Sequence, residues 1–239
     1  MAKKSISPKS FLEEMQDLIE RTYDMNRSIV DIGGFVIGDE GYRRLVANRR
    51  VRRTIGSAVV GGPAVLIRRE RGSLRASLYY PGWLVRRLEK YSPLRNLDQR
   101  NLGALVLFVE ELDHLLLLAD RTRCGRPVSL LEMEFHANVT KDLVVRFLLG
   151  RHRSRRKLNR RERVWLQGEL YGGGRYSHLD VGIRERYQEA ERLANIYMEF
   201  LDRLPLPARV PELRRFHRRG WQEHWEFLSR KAGSRGRSY

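Results

Sequence analysis

Glu110, Glu111, Asp113 and His114 interrupt an otherwise apolar run from Ala104 to Ala119, and of all residues in this chain their types and spacing come nearest to chemistry. At about 100° per residue on a helix, all four share one face. The turns on either side hold Gly103, Val106, Leu107, Leu117 and Leu118, so the polar turn is expected to be buried or to line a pocket. Charges buried without partners cost on the order of several kcal/mol each, so partners must exist. A second segment offers them. On a helix starting near Leu130, His136 falls on the apolar stripe of Val139, Leu143 and Phe147, while Glu134 and Lys141 project to the opposite side.

Two imidazoles and several carboxylates on neighbouring helices form a donor set for a divalent transition metal, and Glu111 with His114 has the Glu-x-x-His spacing of helical di-metal sites. The expected ligands are Glu111, His114, His136 and Glu132. Only one Glu-x-x-His copy is present, and Glu132 has a competing role beside Ser129 at a helix start. Two further outcomes stay open. Glu110, Glu111 and Asp113 are candidate catalytic carboxylates of a nuclease or hydrolase, with a pKa raised by burial. Alternatively, the residues pair with one another and bind nothing.

These side chains must be positioned by helices. Phe11, Leu12, Met15, Leu18 and Ile19 recur at helical spacing from Ser10 to about Asn26. Residues 30–56 suggest a glycine-rich loop and a short helix from Tyr42 to Val51. Two β-rich runs flank Arg71, Gly72 and Ser73 between Ala64 and Tyr80, predicting a hairpin, followed by a short helix from Trp83 to Lys90. Long helices are expected over 98–121 and 130–149. The short connection at Cys124–Pro127 folds them into an antiparallel pair. Asn159 with Glu162 marks another helix start, and further helices are expected over about 180–204 and 211–230, the former stopped by Pro205 and Pro207. The fold class is mainly α with a small β-hairpin (α+β), a helical bundle built around the central antiparallel pair. Residues 1–230 are expected to form a single compact domain, with a hairpin-containing part over 30–82 and a helical part over 98–230. Residues 231–239 are expected to form a basic mobile tail.

The charge points outward to a different chemistry. With 47 Lys and Arg against 29 Asp and Glu, the formal charge is +18 over 239 residues. Residues 1–100 hold 20 basic and 11 acidic residues (+9), 101–145 hold 4 and 7 (−3), and 146–239 hold 23 and 11 (+12). Three arginine clusters carry the excess: Arg43, Arg44, Arg49, Arg50, Arg52 and Arg53; then Arg151, Arg153, Arg155, Arg156, Lys157, Arg160, Arg161 and Arg163; then Arg214, Arg215, Arg218 and Arg219. Like charges this dense repel unless an anion neutralises them. The expectation is binding of nucleic acid or another polyanion through backbone phosphates, and a metal-dependent enzyme built on the Glu/His set is the alternative. Arg218 or Arg219 followed by His224 also has the spacing of a helical ribonuclease pair, but with 40 Arg present such pairs arise by chance.

Several classes are excluded or disfavoured. One cysteine, Cys124, supports neither a disulfide framework nor a cysteine-based zinc site. The polar start around Lys3 and Lys4 lacks the apolar region of a signal peptide, and Ala104–Ala119 is too short and too charged to cross a bilayer. A cytoplasmic location is therefore expected.

Overall fold

The structure, a computed structural model, describes residues 10–25, 29–47, 51–53, 61–70, 73–152, 159–171 and 180–233. Helix α1 (Phe11–Tyr23) opens with a capping box, in which Ser10 accepts from the Glu13 N–H and the Glu13 carboxylate accepts from the Ser10 N–H. It closes at Asp24, which takes a left-handed conformation at φ 61°. A single turn of 3-10 helix (Gly33–Phe35) leads into strand β1 (Val36–Ile37) and helix α2 (Asp39–Val46). Strands β2 (Val51–Arg53), β3 (Ala64–Glu70) and β4 (Ser73–Tyr79) follow, then helix α3 (Gly82–Lys90).

The expected hairpin is present, β3 pairing with β4 from Ala64 opposite Tyr79 to Glu70 opposite Ser73. It is the centre of a four-stranded sheet of order β1-β4-β3-β2, in which β1 runs parallel to β4 and β2 antiparallel to β3. The two flanking strands have two and three residues, too few for an alternating pattern to register in sequence. The short helix comes earlier than Tyr42 to Val51. Val65 and Leu78 bury one face of the sheet in the main core, while Ala64, Leu66 and Tyr79 pack with Tyr42 and Leu45 of α2 on the other.

Helices α4 (Leu102–Arg123) and α5 (Leu130–His152) form the antiparallel pair, reversed through Gly125 at φ 63°. One side of α4 meets β3 and β4 and another meets α5, so α4 is the spine between sheet and bundle. The start of α5 makes half of the expected capping box: Ser129 accepts from the Glu132 N–H at 3.1 Å, but the Glu132 carboxylate turns to Arg121. At α6 (Arg160–Tyr171) Asn159 and Glu162 complete theirs. Helix α7 (Val181–Arg203) packs along α5, with its start capped by Asp180.

The single last helix expected over 211–230 is two helices, α8 (Leu206–Arg218) and α9 (Trp221–Gly233), because Arg219 is extended (ψ 143°) and Gly220 follows it. Lys231, expected in a mobile tail, lies in α9 with its ammonium 4.6 Å from the Phe200 ring centroid. Residues 234–239 of that expected tail lie outside the described residues. The main core runs from Met15 in α1 to Leu228 in α9. Among the described residues, no helix is long and apolar enough to cross a membrane.

Candidate functional site

The polar turn of α4 is buried, and the structure divides it between two separate clusters. Glu110, Glu111 and His114 face one side of α5. There, His114 lies between two carboxylates, with Nδ1 3.7 Å from Glu111 and Nε2 3.6 Å from Glu134. These distances allow electrostatic attraction without hydrogen bonds, and among the described residues both ring nitrogens, Glu111 Oε1 and Glu134 Oε2 have no hydrogen-bond partner. Lys141 donates to Glu110 at 2.7 Å. Glu111 also accepts from the Val65 N–H at 2.9 Å.

Burial raises the Glu134 carboxyl to about 8, with His114 opposing the rise and Glu110 adding to it. Burial pulls His114 down, but Glu134, then Glu111 and Glu110, outweigh it and lift the imidazole to about 9. Glu110 and Lys141 form an ion pair, His114 lies between Glu111 and Glu134, and with its carboxyl raised to about 8 Glu134 is the protonated member of the set at pH 7. Sequence periodicity placed Glu134 and Lys141 on a face pointing away from the core. In the structure they are 2% and 5% exposed, because α5 is covered on every side over residues 132–142.

The second cluster is a chain of hydrogen bonds. Asp113 bonds His136 Nδ1 at 2.8 Å, His136 Nε2 bonds His217 Nδ1 at 3.1 Å, and His217 Nε2 bonds Asp120 at 3.1 Å. Thr140 donates to Asp113 at 2.7 Å, and the Tyr23 hydroxyl meets Thr140 at 2.8 Å. Helices α1, α4, α5 and α8 are thus joined from the interior out to Asp120, which Arg123 bridges at 3.0 Å. Three bonds between Asp113 and Asp120 require three protons, while two neutral imidazoles carry two. The chain therefore holds one extra proton. Burial pulls His217 below its ordinary value. The hydrogen bond from His217, with Arg123 beside it, holds Asp120 down at about 2.

The four expected metal ligands do not converge. Glu111 and His114 are in the first cluster, His136 is held in the second by Asp113 and His217, and Glu132 is taken by Arg121 at 2.9 Å. His114 has one carboxylate at each nitrogen instead of several at one. Among the described residues, no group of three or more His, Cys, Asp or Glu is arranged to hold a metal ion. The catalytic candidates Glu110, Glu111 and Asp113 are 5%, 0% and 0% exposed and are committed to internal partners, so they present no surface to a substrate. His224 is buried and its Nδ1 unpartnered; desolvation in the ring cage of Phe135 and Phe216 lowers it to about 3.

The arginine clusters meet three different fates. Arg49, Arg50, Arg153, Arg155, Arg156 and Lys157 lie outside the described residues, and Arg52 and Arg53 are placed only as backbone in β2. The last cluster is partly compensated within the fold, with two carboxylates against four arginines among the described residues. Arg215 and Arg219 bind Glu212 at 3.0 and 2.9 Å, and Arg218 approaches Asp24 at 3.7 Å. Arg214 is half-buried. The described part of the middle cluster is open. Arg160, Arg161 and Arg163 on the first turn of α6 are exposed, with no carboxylate within ion-pair distance among the described residues, and exposed Arg151 meets Glu14 only at 3.7 Å. The ends of α5 and α6 are adjacent, since Gly150 and Arg163 line one cleft.

The structure also shows where the acids are. Eleven described carboxylate residues are buried, from Glu20 to Glu212, against two buried bases, Arg121 and Lys141. Sequence reasoning missed Glu134, Lys141, Asp120, His217, Tyr23 and Thr140. Nothing in the local pattern of α8 pairs His217 with a residue 81 positions earlier.

No family model, no curated protein and no solved structure matches the chain.

Proposed function

We propose that this protein binds nucleic acid, or a polyanion of similar charge density, through backbone phosphates held by Arg151, Arg160, Arg161 and Arg163. One observation carries the reading: carboxylates are drawn into the interior, and Arg160, Arg161 and Arg163 are left outside with none in ion-pair distance among the described residues. A folded chain of net charge +18 with its acids sequestered has a surface more basic than the total suggests. Guanidinium groups fit phosphate with paired N–H donors, and such contacts carry affinity without reading sequence. An enzyme built on Glu110, Glu111 and Asp113 fits less well, because those groups are sealed and paired.

The test is fluorescence anisotropy of labelled oligonucleotides of several unrelated sequences. Binding that is indifferent to sequence, weakened by R160Q/R161Q and less affected by R215Q/R219Q, is expected, since Glu212 already engages both of the latter pair. Equal effects of the two double variants would refute the assignment of the surface.

A further inference from the structure

Beneath this arginine surface lies a cleft of about 360 Å³ where five helices meet. Ile19 of α1, Val144 of α5, Met198 and Leu201 of α7 and Leu213 of α8 give it an almost fully buried apolar lining. Phe147 and Val210 also line it, and each is 45% exposed. Large apolar side chains left in water beside a buried apolar lining form the kind of concavity that holds a small molecule.

The polar groups of the cleft specify what that molecule is. Arg146 is bound to Asp142 and by two contacts to Asp202, and Arg209 holds the same Asp202 carboxylate and the Leu204 carbonyl. Tyr23 and Thr140 are committed to one another and to Asp113. Arg163 alone among these lining groups keeps its charge uncommitted among the described residues. Three guanidinium groups thus face one lining carboxylate, and the cleft stays cationic even with Asp142 counted behind Arg146.

We propose that the cleft binds an amphiphilic anion, a linear alkyl chain against the apolar lining with a carboxylate or phosphate head on Arg163. At about 30 Å³ per water-sized group, the volume takes about twelve such groups, the size of a medium-length chain. Burial of the chain supplies affinity, and the single uncommitted guanidinium supplies the selectivity for an anion. The site shares Arg163 with the proposed phosphate-binding surface but not Arg160 or Arg161, so R160Q/R161Q separates the two.

Calorimetric titration of the full chain with decanoate, decyl phosphate and decanol, each below its micellar range, tests this. One saturable site per chain is expected, with at least one anion binding about tenfold or more tighter than decanol; whichever anion is tighter identifies the head group. R163Q removes that preference and leaves decanol affinity unchanged. L143W, which fills the cleft, abolishes all three while oligonucleotide binding persists. R160Q/R161Q weakens the oligonucleotide and spares decanoate. Absence of saturable binding, equal affinity for decanol and both anions, or an anion preference that survives R163Q would overturn the proposal. R163Q decides the matter on an exposed residue even where L143W fails to fold.

Discussion

Two glutamates flank His114 at nearly equal distance, yet removing their charges should have opposite effects. With the folded carboxyl at about 8 and the ordinary value at 4.5, Glu134 is protonated at pH 7 in the fold and ionised in the unfolded chain. A raised carboxyl contributes stability that is present below pH 4.5 and is lost as pH rises through 8. Glu134→Gln fixes the neutral form. The 2.5-unit gap between pH 7 and 4.5 then makes the variant more stable than wild type by about 3 kcal/mol at pH 7, growing to about 5 above pH 8 and vanishing near pH 4. At about 2 to 4 °C per kcal/mol for a chain of this size, the melting temperature at pH 7 rises by about 6 to 12 °C. Urea unfolding of both proteins at pH 4, 7 and 9 measures the difference directly. A variant less stable than wild type by more than about 1 kcal/mol at pH 7 would refute the reasoning, because it would mean that Glu134 is ionised and pairs with His114.

Glu111→Gln, by contrast, strips the buried His114 cation of its neutralising partner and should cost about 3 to 5 kcal/mol at pH 7 by the same unfolding assay; a loss below about 1 kcal/mol would contradict the assigned charges. His217 is held below its ordinary value of 6.5 by burial, so its contribution is present above pH 6.5 and is lost as pH falls. His217→Gln is therefore expected to flatten the decline in stability between pH 6.5 and about 5, and an unchanged acid limb would argue against a depressed His217. Tyr23→Phe removes one neutral hydrogen bond while Thr140 still donates to Asp113, and should cost about 1 kcal/mol in urea unfolding.

Much of this architecture was legible because long periodic segments leave strong signals. The antiparallel pair, the hairpin and the Asn159–Glu162 helix start all follow from spacing alone. What escaped was short or distant. Strands β1 and β2 are too brief to alternate, and the break at Arg219 and Gly220 lies between two segments of continuous helical periodicity. The burial of the polar turn on α4 was legible from its apolar neighbours. Its division into two clusters was not, since that depends on how α4 rotates against α5 and on His217 arriving from α8. Glu134 and Lys141 illustrate the difficulty: a charged face reads as solvated until two charges on the facing helix are found to match it. The arginine clusters looked alike in sequence and differ in the fold because Glu212 is positioned to engage two arginines of the last one.

The account rests most heavily on phosphate binding by the open cluster, and the salt dependence of affinity for duplex DNA tests it most directly. Four contacts, at Arg151, Arg160, Arg161 and Arg163, predict a slope of about −3.6 in log K against log salt, or about a 150-fold loss between about 50 and about 200 mM. R160Q/R161Q halves the slope to about −1.8 and the loss to about 12-fold. A flat salt dependence, or a slope that the double variant leaves unchanged, would contradict it.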